Sequence, residues 1–204
     1  MDHASHHAEQ FKPVVEAAVR LRAPHILVVI DDRDAARGCA VLAGCGALAA
    51  GARIGIALEF QPYGAVPSLD AALDVVRGAG LANIGLVLDT LHFCRSGGRA
   101  AEVAALPAGT LAFVQLADAP FKSPPFSELR IESRGHRLLP GEGELPLNEL
   151  MDTLPPGITL DIETPNLRTT SLPHAEQARL AAAAARRFLA AWKAGKTGRQ
   201  PPSA

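Results

Sequence analysis

The chain has 204 residues, 48% of them hydrophobic and 20% charged, with a formal net charge of −1. That is a globular composition large enough for one core, and a single domain over 13–194 is expected between tails at 1–12 and 195–204. A nearly neutral chain gives no electrostatic reason to expect nucleic acid or an anionic membrane as a partner.

Cys39, Cys45 and Cys94 are odd in number and show no CxxC spacing, so reduced thiols and a cytoplasmic setting are expected. The opening MDHASHHAEQ is polar and lacks a secretory apolar core. The apolar stretch 42–52 is Gly-broken and falls short of the roughly 20 residues that span a bilayer.

His3, His6 and His7 lack a second ligand group and are expected to be solvated. Pro13 suits a first helical turn, and Val14, Ala17, Ala18 and Leu21 recur at helical spacing, which predicts a helix ending before Pro24. The run 25–30 (HILVVI) reads as a strand covered on both faces. Asp31 and Asp32 after it read as turn formers, and Asp34 as the cap of an Ala- and Gly-rich helix over 35–50. Ser68 caps a further helix, closed by Gly78 and Gly80. Ser96 is expected to open a short helix over 100–105, ended by Pro107 and Gly109. Residues 119–144 carry many Pro, Gly and charges and read as one long functional loop. Helices over 146–154 and 174–194 complete an alternation of strand and helix that predicts a parallel α/β sheet.

The strand-like runs end alike. Residues 54–58 stop at Glu59 (IALEFQP), and 84–88 stop at Asp89, with His92 three residues on (GLVLDTLHFCRSG). Residues 111–114 run into Gln115 (AFVQLADAP), and 158–162 into Glu163 (ITLDIETP). An unpaired carboxylate is too costly inside a parallel sheet, so such groups are delivered to its mouth. Three carboxylates and an amide oxygen suit Mg²⁺ or Mn²⁺, whereas a zinc site more often carries His or Cys.

These segments, together with ESRGHRLLPGEGELPL, resemble the second half of the sugar phosphate isomerase/epimerase family, the xylose isomerase-like TIM barrels; the likeness runs over 13–192. The resemblance implies Glu59, Asp89, Gln115 and Glu163 as metal ligands, Glu59 and Glu163 as the catalytic pair, and His92 and Arg137 as substrate contacts. Many members have His where this chain has Gln115, and Gln there resembles a subgroup that includes 3-dehydroshikimate dehydratases. The implied chemistry is metal-dependent isomerisation or epimerisation of a sugar, sugar phosphate or similar polyhydroxylated carbonyl compound. The cation stabilises an enediolate as a Lewis acid while the two Glu move the proton. Dehydration on the same site is the alternative. A guanidinium such as that of Arg137 suits a phosphate or carboxylate. Asp118 is expected to brace the long loop, and Arg134 and Glu142 carry weaker expectations.

A full barrel of this type has eight strands and about 250 residues. The five strands expected here make a partial TIM barrel, open where the first three strands would be. Such a sheet leaves bare edges and uncovered apolar side chains. Three arrangements answer that: further chain upstream, a homo-oligomer in which two copies cover each other, or an inactive barrel fragment.

Overall fold

Five parallel strands stand side by side in chain order: β1 (His25–Val29), β2 (Gly55–Glu59), β3 (Ile84–Asp89), β4 (Leu111–Leu116) and β5 (Leu160–Ile162). Around them lie α1 (His3–Leu21), α2 (Ala35–Gly51), α3 (Leu69–Ala79), α4 (Thr90–Arg95), α5 (Ala100–Ala104), α6 (Leu129–Gly135), α7 (Leu147–Thr153) and α8 (His174–Thr197). This computed structural model describes residues 3–197, with side-chain surroundings given for 10–196. The architecture is the expected partial (β/α) barrel.

Alternation along the strands divides the sheet into two faces. Ile56, Leu58, Leu86, Leu88 and Val114 pack with Leu42, Leu69, Ala72, Val75 and Leu150 in the main core. Full burial of such side chains contributes about 1.5–3 kcal/mol each. The other face is concave. His25 on β1 and Phe113 on β4 bring their ring centroids to 6.1 Å, although three strand spacings in a flat sheet would separate them by about 14 Å. Gly55, paired with His25, makes room: a Cβ there would lie 2.5 Å from the His25 ring.

Local chemistry sets the helix ends. Ser68 accepts a hydrogen bond from the Ala71 N–H, and Gly80 closes α3 at φ 67°. Asp34 caps α2 by accepting from the Arg37 N–H, while Asp32 pairs with the Arg37 guanidinium, so these acids organise a turn. All three cysteines are free thiols.

Several expectations require correction. Helix α1 starts at His3, so 3–12 are helical and Pro13 lies inside the helix on an exposed position, where its missing donor faces solvent. Its packed face is Phe11, Val15 and Ala18, while Val14 and Leu21 are exposed. The side chains of His3, His6 and His7 lie outside the described residues. Strand β1 is not covered on both faces: Leu27 and Val29 are exposed on the concave side, because among the described residues β1 is an edge strand with no neighbour beyond it.

Helix α4 follows β3 directly, and Arg99, not Ser96, occupies the N-cap position of α5. The stretch 119–144 is not all loop. It holds a 3₁₀ turn (Phe126–Glu128) and α6, which buries Leu129, Glu132 and Ser133. Short-range pattern misses α6 because its anchor is remote, the Arg95 side chain of α4. At the other end, α8 continues through Thr197.

Candidate metal and acid–base site

The strand ends deliver their polar groups to one place. Glu59 ends β2, Asp89 ends β3, and Gln115 on β4 pairs directly with Asp89. Glu163 follows β5, its N–H donating to the Leu116 carbonyl. Asp89 also caps α4, since its Oδ1 accepts from the His92 N–H at 2.8 Å. That cap turns His92 inward. Ligand atoms of Glu59, Asp89 and His92 lie within 4.8 Å of one another, and all three residues are buried.

Arg137 enters from the residues after α6 and is only 2% exposed. Its Nη1 donates to Asp89 Oδ2 at 2.5 Å, its Nε to the Ser133 carbonyl at 2.8 Å, and its Nη2 lies 3.3 Å from His92 Nε2. A guanidinium only donates, so this contact requires a lone pair on Nε2 and places the His92 proton on Nδ1. Burial pushes His92 down to about 4, so it is neutral at pH 7 and its 4.0 Å approach to Glu59 is no ion pair there. For Arg137 itself, burial works against the charge, but Asp89, Glu163 and Glu59 together outweigh it and raise the pKa.

The two glutamates are shifted upward. Burial first, then the Asp89 charge, pushes Glu59 up to about 7, while a hydrogen bond from Gln61 Nε2 at 3.0 Å opposes the shift. Burial also raises Glu163, with Arg137 opposing. A carboxyl titrating near neutrality can both accept and return a proton at pH 7.

Two oxygens in this cluster are buried and unpartnered, Gln115 Oε1 and Glu163 Oε2. Buried acceptors are normally satisfied, and a site lined by such oxygens suits a cation. The donor set, carboxylates plus an amide oxygen with one imidazole beside them, fits a hard divalent ion.

All six residues expected at the site are therefore near one another. The tightest trio includes His92 rather than Glu163, and Arg137 is turned onto Asp89 instead of toward solvent. Clefts of about 390 Å³ (Pro120, Glu128, His136, Asn166, Arg168) and about 420 Å³ (Arg137, Glu142, Thr164, Gln177) lie about α6 and Asn166 rather than over Glu59.

Four contributors were not evident from the sequence. Gln61 holds Glu59, and its presence in EFQP two residues on was the available signal. Tyr63 stacks edge-on against His92 at 5.6 Å and donates to Ser133 Oγ, whose own proton goes to the Arg130 carbonyl. Arg95 and Glu132 pin α6 above the site, and nothing local announces that pair. Asp118 braces the loop as expected, accepting from the N–H groups of Ala119, Gly141, Gly143 and Leu145.

The family model described as xylose isomerase-like TIM barrel matches residues 2–192. The chain belongs to this family. Among curated proteins, a 3-dehydroshikimate dehydratase from Pseudomonas aeruginosa is 40% identical over 78 residues, which is 38% of this chain and 12% of the dehydratase. The chain thus spans a small part of that relative. Among solved structures, the IOLI protein with a bound zinc atom superposes with a TM-score of 0.80 at 19% identity, covering 94% of this chain and 73% of that one. An L-ribulose 3-epimerase superposes at 0.71 and 16% identity, covering 98% and 73%. At these identities the structural likeness speaks for the xylose isomerase-like fold alone. Among the described residues, no helix is long and apolar enough to cross a membrane.

Proposed function

We propose that this xylose isomerase-like chain is the site-bearing part of a divalent-metal-dependent enzyme that moves a proton beside a carbonyl, isomerising or epimerising a small sugar or sugar phosphate. The observation that carries the reading is the pair of unpartnered buried oxygens, Gln115 Oε1 and Glu163 Oε2, facing a cluster whose Glu59 titrates near 7. Glu59, Asp89, Gln115 and Glu163 would hold Mg²⁺ or Mn²⁺. When bound, the cation supplies Lewis-acid stabilisation of negative charge on the substrate oxygens. Glu59 takes the proton from the carbon beside the carbonyl, and Glu163, protonated beforehand, gives its own proton to the neighbouring carbon or on the opposite face. Neutral His92 accepts a hydrogen bond from a substrate hydroxyl at Nε2, and Arg137 binds a substrate anion.

A second reading is dehydration of 3-dehydroshikimate, favoured by Gln115 and by the 40% match to a dehydratase over 78 residues. There the same proton abstraction expels a β-hydroxyl and yields an aromatic product.

One experiment separates them. The protein, loaded with Mn²⁺ in D₂O, is given L-ribulose or 3-dehydroshikimate and followed by proton NMR. Deuterium entering the carbon beside the ketose carbonyl supports the isomerase reading; aromatic signals support the dehydratase. No exchange with either, alongside demonstrated Mn²⁺ binding, removes both.

A further inference from the structure

Asp89 is the most enclosed carboxylate of the cluster, at 1% exposure, and both of its oxygens are already engaged. Oδ1 takes the His92 N–H and Oδ2 takes Arg137 Nη1. The Arg137 fork reaches two of the three groups that converge within 4.8 Å: Asp89 by Nη1 and, at 3.3 Å, His92 by Nη2. A permanently charged guanidinium therefore lies on Asp89 Oδ2, the oxygen not taken by the His92 N–H, and a small cation binding that oxygen must compete with it. Two cations there repel each other strongly, since the surroundings hold little water to screen them.

The backbone of Arg137 is anchored independently. Its N–H donates to the Pro165 carbonyl and its carbonyl accepts from Asn166 Nδ2. With the backbone held there, the whole guanidinium can leave Asp89 by side-chain rotation, giving up the Nε bond to the Ser133 carbonyl and the Nη1 contact with the Glu163 carbonyl. It would remain at the rim of the site, with both Nη groups free for a planar anion.

We propose that Arg137 is the built-in counter-cation of this site, displaced from Asp89 by the incoming divalent ion and thereby released to bind the carboxylate or phosphate of the substrate. This rests on the metal-dependent reading above. It orders the two events, metal before substrate anion, because the anion-binding fork is engaged until the metal takes Asp89. It also makes Arg137 a determinant of metal affinity, against which the ion must compete.

The test is Mn²⁺ calorimetry at low salt on the whole chain and on Arg137→Gln. Displacement predicts that the variant binds at least tenfold more tightly than the parent, since the competitor is gone. Unchanged or weaker binding in the variant overturns the proposal, because Arg137 would then be supporting Asp89 rather than competing for it. Should Arg137→Gln fail to fold, the parent itself decides. In metal-free protein one buried guanidinium should show slowly exchanging N–H signals by NMR, assigned by their loss in Arg137→Lys. Saturation with Mg²⁺ should abolish their protection, and its persistence overturns the proposal. Failure of the parent and variant alike to bind Mn²⁺ sinks the metal reading together with it, whereas tight parental binding unaffected by Arg137→Gln sinks only the displacement.

Discussion

Arg95 on α4 and Glu132 on α6 form a buried two-pronged ion pair, with Nε to Oε2 at 2.8 Å and Nη2 to Oε1 at 2.7 Å. Arg95 also donates to the Pro120 and Phe121 carbonyls, so one side chain ties the segment after β4 to the helix that carries Ser133 toward Arg137. Removing one partner of such a pair leaves an uncompensated charge, at about 3–5 kcal/mol. Glu132→Gln should therefore lower the unfolding free energy, read by denaturant titration, by that order, and the double variant Arg95→Met/Glu132→Leu should recover part of the loss. Equal stability of Glu132→Gln and the parent would show that α6 is held by something else.

Asp118 accepts four backbone N–H groups from 119–145, and hydrogen bonds to a charged group contribute about 1.5–3 kcal/mol each before non-additivity. Asp118→Ala is expected to free 138–145 and speed amide exchange at Gly141, Gly143 and Leu145. Gly143 is needed for close approach: a Cβ there would sit 2.4 Å from Asp118 Oδ1 and 2.5 Å from the Ala119 carbonyl oxygen. Gly143→Ala should thus reproduce the Asp118→Ala exchange pattern. Wild-type protection in both variants would remove the brace.

Glu59 gives a pH signature. Burial and the Asp89 charge raise its pKa from 4.5 to about 7, so the folded state holds a proton that the unfolded state has released across that window. Its contribution to stability is then lost as pH rises from about 4.5 through about 7. His92, lowered from 6.5 to about 4, acts oppositely, losing stability as pH falls through that interval. Comparing melting temperatures of the parent and Glu59→Gln isolates the first effect. The variant should gain on the parent from about pH 5 to about pH 8, and a constant difference would place the Glu59 pKa outside that window. Mn²⁺ affinity should weaken below about pH 7, as protons compete for the same carboxylate.

Asp89→Ala should abolish Mn²⁺ binding. Glu163→Gln should preserve an oxygen ligand while stopping turnover, since an amide cannot carry the proton. Normal turnover by Glu163→Gln on whichever substrate is accepted would assign its proton transfer to another group.

A Tyr63→Phe change keeps the ring against His92 but removes the bond to Ser133. Losing one half-buried neutral hydrogen bond costs about 1 kcal/mol, with the unpaired Ser133 oxygen adding to it. Denaturant unfolding checks this, and a loss near zero would mean that the Tyr63 hydroxyl is solvated in the parent.

The positions of the strands along the chain and the polar residue ending four of them were legible in the sequence because both are local: an apolar run stops where a carboxylate or amide begins. Caps at Ser68 and Asp34 were legible for the same reason. The packed face of α1 was not, because Phe11, Val15 and Ala18 compete with Val14 and Leu21 for the core at nearly the same spacing, and only the position of α2 decides between them. Helix α6 escaped because its buried Glu132 looks like a surface residue until Arg95, 37 positions away, is brought to it.

The same division holds at the site. The sequence by itself determined that Glu59, Asp89, Gln115 and Glu163 would stand at the mouth of a parallel sheet, since residue type and strand period suffice for that. Only the tertiary structure decided that Glu59 is desolvated enough to titrate near 7, that His92 stays neutral, and that Arg137 turns inward onto Asp89. Those properties depend on burial and on distances between charges far apart in the chain, and no spacing along it encodes them.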